Sequence, residues 1–363
     1  MISNRIFILP VFLMIQSCIS NQSIVGIDYD KYKESSKIDL VFDDAGNVKV
    51  GYLSNKKSSS DLDVPINCTL LPENSYAKIK PKIAYWIWNS KILSKNSKEV
   101  ISKIKAKGAD IIFMQVGPNL VDYENLVNEA GENNIKVVAL NGHSEAIFDA
   151  SQIIANINDI KKYNLKHRYK YNGYQVDIEP YTLPGYSINE QQYLSMYVKT
   201  IKSLRETAGD ELQFSVVIPF WFSQKNINGE NLAEVVIKSS DYVSTMSYRV
   251  KLNEITSITS NTLCLAKRNN KSVFVGLEKL NLKNEYHFEI PSNEIKLLNS
   301  GDNKFSIDTQ KSTVFAQKKY VVSRDNLSFY SHPKDLDRII NSPLPYSSFM
   351  GWAIHGDEID APN

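Results

Sequence analysis

From about residue 82 onward, short apolar runs recur along the chain with amphipathic stretches between them. The runs are KIAYWIW (82–88), ADIIFMQVG (109–117), KVVALNG (136–142), GYQVDIEP (173–180), LQFSVVIPF (212–220), YVSTMSY (242–248), SVFVGLE (272–278) and SFMGWAIHG (348–356). Helical spacing is carried by SKEVISKIKAKG, YENLVNEAGENN, SQIIANINDIKKYN, NEQQYLSMYVKTIKSLRETAG, GENLAEVVIKSS, a stretch near 252–268 and HPKDLDRIIN. Continuous apolar strands alternating with helices predict a parallel sheet buried on both faces. Eight such units predict an α/β protein of the (β/α)8 TIM-barrel type. An open doubly wound sheet is the rival, but no Gly-rich phosphate loop follows the first strand.

Two additions to this barrel are expected. Residues 38–54 alternate apolar and polar around Asp43-Asp44-Ala45-Gly46-Asn47, which predicts an N-terminal β-hairpin extension. Polar residues 19–37 read as a tether. Residues 279–330 are too many for a plain loop between the seventh strand and its helix. Within them, 312–330 read as a strand pair around Arg324-Asp325-Asn326, in a small insertion at the ligand face. The expected division is a leader over 1–18, tether and hairpin over 19–80, and a barrel over 81–363.

The leader reading rests on Arg5 followed by the apolar run Ile6 to Ile15, which has signal-peptide length and is too short to span a bilayer. It ends in Ile15-Gln16-Ser17-Cys18, which resembles a lipoprotein cleavage box except at Gln16. Lipidated at Cys18, the mature chain would be held at a bacterial cell envelope by its anchor. The outer membrane is expected if the host is Gram-negative, since Ile19 rather than Asp follows the cysteine. A plain secretory signal cut nearby is the alternative. Export would put Cys68 and Cys264 where a disulfide can form, and a bridge between them and two free buried thiols are both open. With no CxxC, no HExxH and no close His/Cys cluster, neither a metal nor another cofactor is expected.

Charge narrows the classes further. Lys and Arg total 42 against 40 Asp and Glu, so no large basic surface is available to hold nucleic acid. Hydrophobic residues at 42% and charged residues at 23% suit a folded globular chain rather than a disordered one. No GxSxG occurs to anchor a serine hydrolase.

The chemistry concentrates in Asn172-Gly173-Tyr174-Gln175-Val176-Asp177-Ile178-Glu179-Pro180. Alternate side chains of a strand share a face, so Gln175, Asp177 and Glu179 point one way and Tyr174, Val176 and Ile178 the other. In the fourth strand of a barrel the polar row climbs the interior and puts Glu179 at the C-terminal mouth, where active sites sit. Three polar groups inside a barrel are costly unless they bond one another or a ligand. Repulsion and desolvation should raise the pKa of one of the two carboxyls, and a raised Glu can act as general acid near neutral pH. A structural pair held by a Lys or Arg is the plain alternative.

This segment resembles the fourth-strand motif Asp-Gly-x-Asp-x-Asp-x-Glu of family 18 glycoside hydrolases, the chitinases and endo-β-N-acetylglucosaminidases. Ser244-Thr245-Met246-Ser247-Tyr248 is similar to the family's sixth-strand Met-x-Tyr, and Phe349-Met350-Gly351-Trp352 to its eighth-strand ending. Val217-Ile218-Pro219 resembles the fifth strand and Val138-Ala139-Leu140-Asn141-Gly142 the third. The resemblance implies that Glu179 protonates the glycosidic oxygen, that Asp177 orients the 2-acetamido group, and that Tyr248 hydrogen-bonds its carbonyl. It implies that Trp352 stacks on the sugar at the reactive subsite. The reaction would then be the substrate-assisted exception to the two-carboxylate scheme.

Asn172 and Gln175 depart from the motif. Asn172 falls at the strand's start, away from the chemistry. Gln175 cannot relay charge, though its amide is expected to hydrogen-bond Asp177 and hold it. Inactive members of the family typically lose the Glu, which this chain keeps.

Trp86 and Trp88 on the first strand, and Trp221 past the fifth, either contact a sugar or pack in the core. Gln115, Asn141 and Arg249 fall at strand ends where they can bond sugar hydroxyls. His143 and His355, also at strand ends, suit a polar loop role better than a metal pair. The expected protein is a monomeric, exported glycosidase that cleaves a β-linkage next to an N-acetylhexosamine in an oligo- or polysaccharide. The rivals are a muramidase-like barrel acting on peptidoglycan and a non-catalytic glycan-binding protein.

Overall fold

The computed structural model describes residues 12–16, 23–25, 37–42, 48–53, 66–89, 96–183, 186–291, 295–299, 304–309 and 313–356. Eight parallel strands close into a barrel in chain order: β1 (Lys82–Ile87), β2 (Ile111–Gln115), β3 (Lys136–Asn141), β4 (Gly173–Val176), β5 (Gln213–Pro219), β6 (Tyr242–Met246), β7 (Ser272–Glu278) and β8 (Phe349–His355). Every predicted apolar run became one of them. The intervening helices are α1 (Ser97–Ala106), α2 (Glu124–Glu132), α3 (Ser151–Lys166), α4 (Tyr186–Ala208), α5 (Leu232–Lys238), α6 (Leu252–Arg268) and α7 (Pro333–Ile340). The chain is therefore a (β/α)8 barrel.

Local chemistry sets the element ends. Asn231 caps α5 by accepting the Glu234 N–H at 3.2 Å, and Pro333 opens α7 where no intrahelical donor is needed. After α1, α2, α4 and α6 the chain passes through left-handed backbone at Gly108, Asn134, Gly209 and Asn270, which stops each helix and turns the chain toward the next strand.

At the N-terminal end of the barrel one device recurs three times. Asp110 before β2 accepts the Ile83 N–H of β1 at 2.8 Å. Asn172 before β4 accepts the Val137 N–H of β3 at 2.9 Å, and Asp241 before β6 accepts the Phe214 N–H of β5 at 2.8 Å. Each also donates its own backbone N–H to the carbonyl of the same partner. Asn172 is thus a strand tie, and an amide serves that purpose as well as a carboxylate.

The barrel interior is filled rather than open. Ala84, Trp86, Ile111, Phe113, Val138, Leu140, Val217, Tyr242, Phe274 and Ala353 form its core, with Trp88, Met246 and Met350 packed against it. Residues 66–80 belong with this barrel. Ile66 N–H bonds Asn261, Lys267 bonds the Thr69 carbonyl, and Cys68 is disulfide-bonded to Cys264 of α6, their Cα atoms 5.4 Å apart. No helix among the described residues is long and apolar enough to cross a membrane.

The expected hairpin and the insertion belong to one second unit. Lys37–Phe42 pairs antiparallel with Val48–Leu53 and, on its other edge, with Glu285–Pro291. Glu285–Pro291 pairs in turn with Thr313–Val322, and that strand with Phe12–Gln16 from within the expected leader. Ile295–Asn299, Lys304–Thr309 and Ser23–Val25 form a separate three-stranded sheet. One expectation fails here. Residues 312–330 are not a strand pair, because Arg324–Asn326 make a 3-10 turn, and Ser328 then caps a second one at Phe329–Ser331. Cys18 lies outside the described residues.

Candidate active site

The ladder of β3 and β4 continues one step past the strand, with the Asp177 N–H donating to the Asn141 carbonyl at 3.1 Å. Gly142 makes this possible: a Cβ there would meet the Asp177 carbonyl oxygen at 1.9 Å. Asp177 and Glu179 therefore leave the barrel on the interior row begun by Gln175. Pro180 then starts a 3-10 turn.

Gln175 does not hold Asp177, contrary to expectation. It is fully buried, its carbonyl accepts the Trp86 indole N–H at 2.6 Å, and its amide donates to Ser215 Oγ at 3.2 Å and Ser244 Oγ at 3.0 Å. Both amide donors are thereby used inside the barrel. Trp86 is correspondingly a core residue, 3% exposed, with its ring over Gly276, where a Cβ would lie 3.0 Å from the indole. The half-buried Trp88, just past the end of β1, is nearer the mouth than Trp86.

Asp177 is the carboxyl that burial raises. Enclosure first, then the charge of Glu179, push it up to about 7, while His355 pulls the other way. Its Oδ1 is sealed from solvent without a hydrogen-bond partner. Tyr197 of α4 is buried with an unpartnered hydroxyl, raised in pKa by burial and then by the charges of Asp177 and Glu179. An acceptor and a donor of one electrostatic cluster are thus buried without a hydrogen-bond partner. Tyr248 follows β6 on its interior row. Burial pushes its phenol well above the usual value, and Glu278, Asp177 and Glu179 add to the shift.

Glu278 was not singled out from sequence. It ends β7, is 3% exposed, and accepts the Lys279 and Leu280 N–H groups at 2.8 and 2.7 Å. Its other oxygen meets His355 Nδ1 at 2.8 Å. The His355 ring stacks on Tyr248, with centroids 6.3 Å apart and planes 18° from parallel. The signal for Glu278 was available, since Phe274, Gly276 and Glu278 form an interior row by the same alternation as Gln175, Asp177 and Glu179. Tyr197 gave none, being one aromatic in an amphipathic helix.

Two expected ligand contacts are corrected. Trp352 is fully buried on the outer face of β8, where its indole N–H donates to the Ser342 carbonyl at 3.1 Å and its ring meets Phe349. The cause is a register shift between β7 and β8, which pairs Val273 with Phe349 but Phe274 with Gly351. A one-residue shift reverses every later side chain. Asn141 also faces outward. It lines a small crevice with Gln152 and Asn156 of α3, and its Oδ1 accepts the Gly142 N–H at 2.8 Å.

The remaining candidates are half-buried. Gln115 ends β2 on the interior row above Phe113. Trp221 meets Phe222 edge-on at 4.8 Å. Arg249 donates to the Tyr248 carbonyl at 2.7 Å and lies 5.7 Å from the Phe220 ring centre. His143 pairs with Glu145 at 3.7 Å. A separate groove of about 1030 Å³ runs beside α6 and α7, but its Arg338 and Asp335 already pair with each other at 3.1 Å.

No family model matches the chain, and no curated protein matches it. Among solved structures it is similar to the Bacillus cereus spore cortex-lytic enzyme SleL, at 9% identity over 78% of this chain and 71% of that one, TM-score 0.42. It is similar to a class V chitinase from Pseudomonas fluorescens, at 10% identity over 76% and 94%, TM-score 0.38. A putative deoxyribose-phosphate aldolase from Coccidioides immitis is similar at 14% identity over 60% and 79%, TM-score 0.40. One barrel fold hosts many chemistries, so the functional reading rests on the side chains above.

Proposed function

We propose that the protein is a glycoside hydrolase that cleaves a β-linkage next to an N-acetylhexosamine with retention. The observation that carries this reading is the cluster at the barrel mouth. There Asp177 and Glu179 interact, Asp177 is raised to about 7, and the half-buried Tyr248 interacts with both. A carboxyl that stays protonated to near neutrality can share its proton with Glu179 and keep an oxygen to accept an acetamido N–H.

In the proposed reaction Glu179 gives its proton to the glycosidic oxygen as the C1–O bond breaks. The substrate's own acetamido oxygen closes on C1 from the opposite face. Asp177 receives the acetamido N–H, and the Tyr248 hydroxyl donates to the acetamido oxygen. Water then attacks C1, the ring opens back to the acetamide, and the water's proton returns to Glu179. Two displacements at C1 give retention. Trp88, Gln115 and Trp221 are proposed as sugar contacts.

The test is product analysis by mass spectrometry with chito-oligosaccharides, an N-glycan and peptidoglycan, using the full chain and its Glu179→Gln variant. Cleavage by the wild type alone is expected, with binding kept in the variant. Binding by both forms without cleavage by either would replace this reading with a non-catalytic glycan-binding barrel. One observation favours that second reading: the amide of Gln175 is spent on Trp86, Ser215 and Ser244 and gives Asp177 no support.

The leader is proposed to direct export, with Cys18 as the lipid attachment point. Cys18→Ser should move the protein from the membrane to the soluble fraction. Unchanged fractionation would overturn the anchor.

A further inference from the structure

Gln175 gives Asp177 no partner for its proton. A carboxylate at that position could share a proton with Asp177, but the amide present here is turned to Trp86, Ser215 and Ser244. The groups that interact electrostatically with Asp177 are Glu179 from its own segment, Tyr197 from α4, Tyr248 from the end of β6 and His355 from β8. Of these only His355 can bring positive charge.

His355 is held there by construction. It lies directly beside Glu278 in the β7–β8 pairing, and the ladder runs past both residues, with the Lys279 N–H donating to the His355 carbonyl at 2.9 Å. Glu278 accepts two backbone N–H groups on one oxygen, which suits a carboxylate. A carboxylate has no proton to give, so Nδ1 is the donor in the 2.8 Å contact. The His355 ring lies nearly parallel to that of Tyr248, with centroids 6.3 Å apart.

We propose that the Glu278–His355 pair is a positioning element of the active site, which holds the Tyr248 ring and sets the His355 imidazole where its charge opposes that of Asp177. This rests on the glycosidase reading. Neither residue is assigned contact with the reacting atoms. They act through Tyr248 and Asp177. A mere tie between two strand ends would use the same hydrogen bond, so the test must read charge rather than stability.

The experiment titrates the full chain by NMR, following the Asp177 carboxyl carbon and the His355 imidazole nitrogens in the wild type, His355→Gln and Glu278→Gln. The chain has five histidines, so His355→Gln assigns the imidazole signal. In the wild type, Nδ1 should stay protonated throughout. In His355→Gln the Asp177 midpoint should rise by about half to one pH unit, and the matching limb of the kcat profile should move with it. In Glu278→Gln the new amide N–H faces Nδ1, so the tautomer should reverse and kcat fall about tenfold or more. An unmoved Asp177 midpoint in a folded His355→Gln chain would overturn the proposal. So would a wild-type imidazole protonated on Nε2 alone, which can be read even if both variants fail to fold. A wild type that cleaves no glycan would remove the glycosidase reading, yet the titrations would still decide whether His355 sets the charge at Asp177.

Discussion

The indole N–H of Trp86 reaches across the inside of the barrel to the side-chain carbonyl of Gln175, 2.6 Å away and 89 positions along the chain. That contact makes a tryptophan expected at a sugar or in the core, and a glutamine expected to hold Asp177, into the polar centre of a packed core. Ser215 and Ser244 complete it by accepting the two amide hydrogens.

Replacing Gln175 with Leu should therefore destabilise the fold by about 2–3 kcal/mol, because it strands the Trp86 N–H and two hydroxyls in a buried site. Urea unfolding would measure it. A loss below about 0.5 kcal/mol would show that the network is not what holds this layer together.

Asp177 makes stability depend on pH with a definite sign. Its folded pKa, about 7, lies above its ordinary value of 3.8, so the native state binds more protons between them. Stability from this group is present below about pH 4 and is lost as pH rises toward 7, a change on the order of a few kcal/mol. Asp177→Asn should flatten the curve, so the variant should gain on the wild type steadily from pH 4 to pH 8. A constant difference across that range would mean Asp177 is not desolvated in solution.

Trp352 and Trp88 should separate cleanly. Trp352→Ala should cost about 3–5 kcal/mol of stability, since the ring is fully buried behind β8. Trp88→Ala should cost less stability and weaken oligosaccharide binding about threefold to tenfold if its ring stacks on sugar. Calorimetric binding alongside thermal melts would read both. Weaker binding in a Trp352→Phe chain that melts normally would reverse the assignment.

Gly142→Ala should lower both turnover and stability, because the added methyl collides with the Asp177 backbone. A fall in kcat of about tenfold or more with little change in KM is expected, as for a displaced catalytic group. Equal kcat in the two forms would show that Asp177 tolerates the shift.

The Cys68–Cys264 bond ties residues 66–80 to α6 across 196 positions of sequence. Breaking it should lower stability by about 2–4 kcal/mol. Thiol alkylation before and after reduction, followed by melting, would show whether the bond is present and what it contributes. Full alkylation of both thiols without reductant would count against it.

The sequence by itself determined the barrel and the polar row at its fourth strand. Eight apolar runs at regular spacing allow few other folds, and strand alternation alone puts Gln175, Asp177 and Glu179 on one face. The same alternation held Glu278 in plain view on β7. What only the tertiary structure decided was which side chains meet. Trp86 and Gln175 are far apart in sequence and adjacent only because the barrel closes. The shift in the β7–β8 pairing lets both Met350 and Ala353 pack on the interior, and it turns Trp352 outward and His355 inward to Glu278. Local alternation carries no record of such a shift, since it arises from the pairing of two strands rather than from either one.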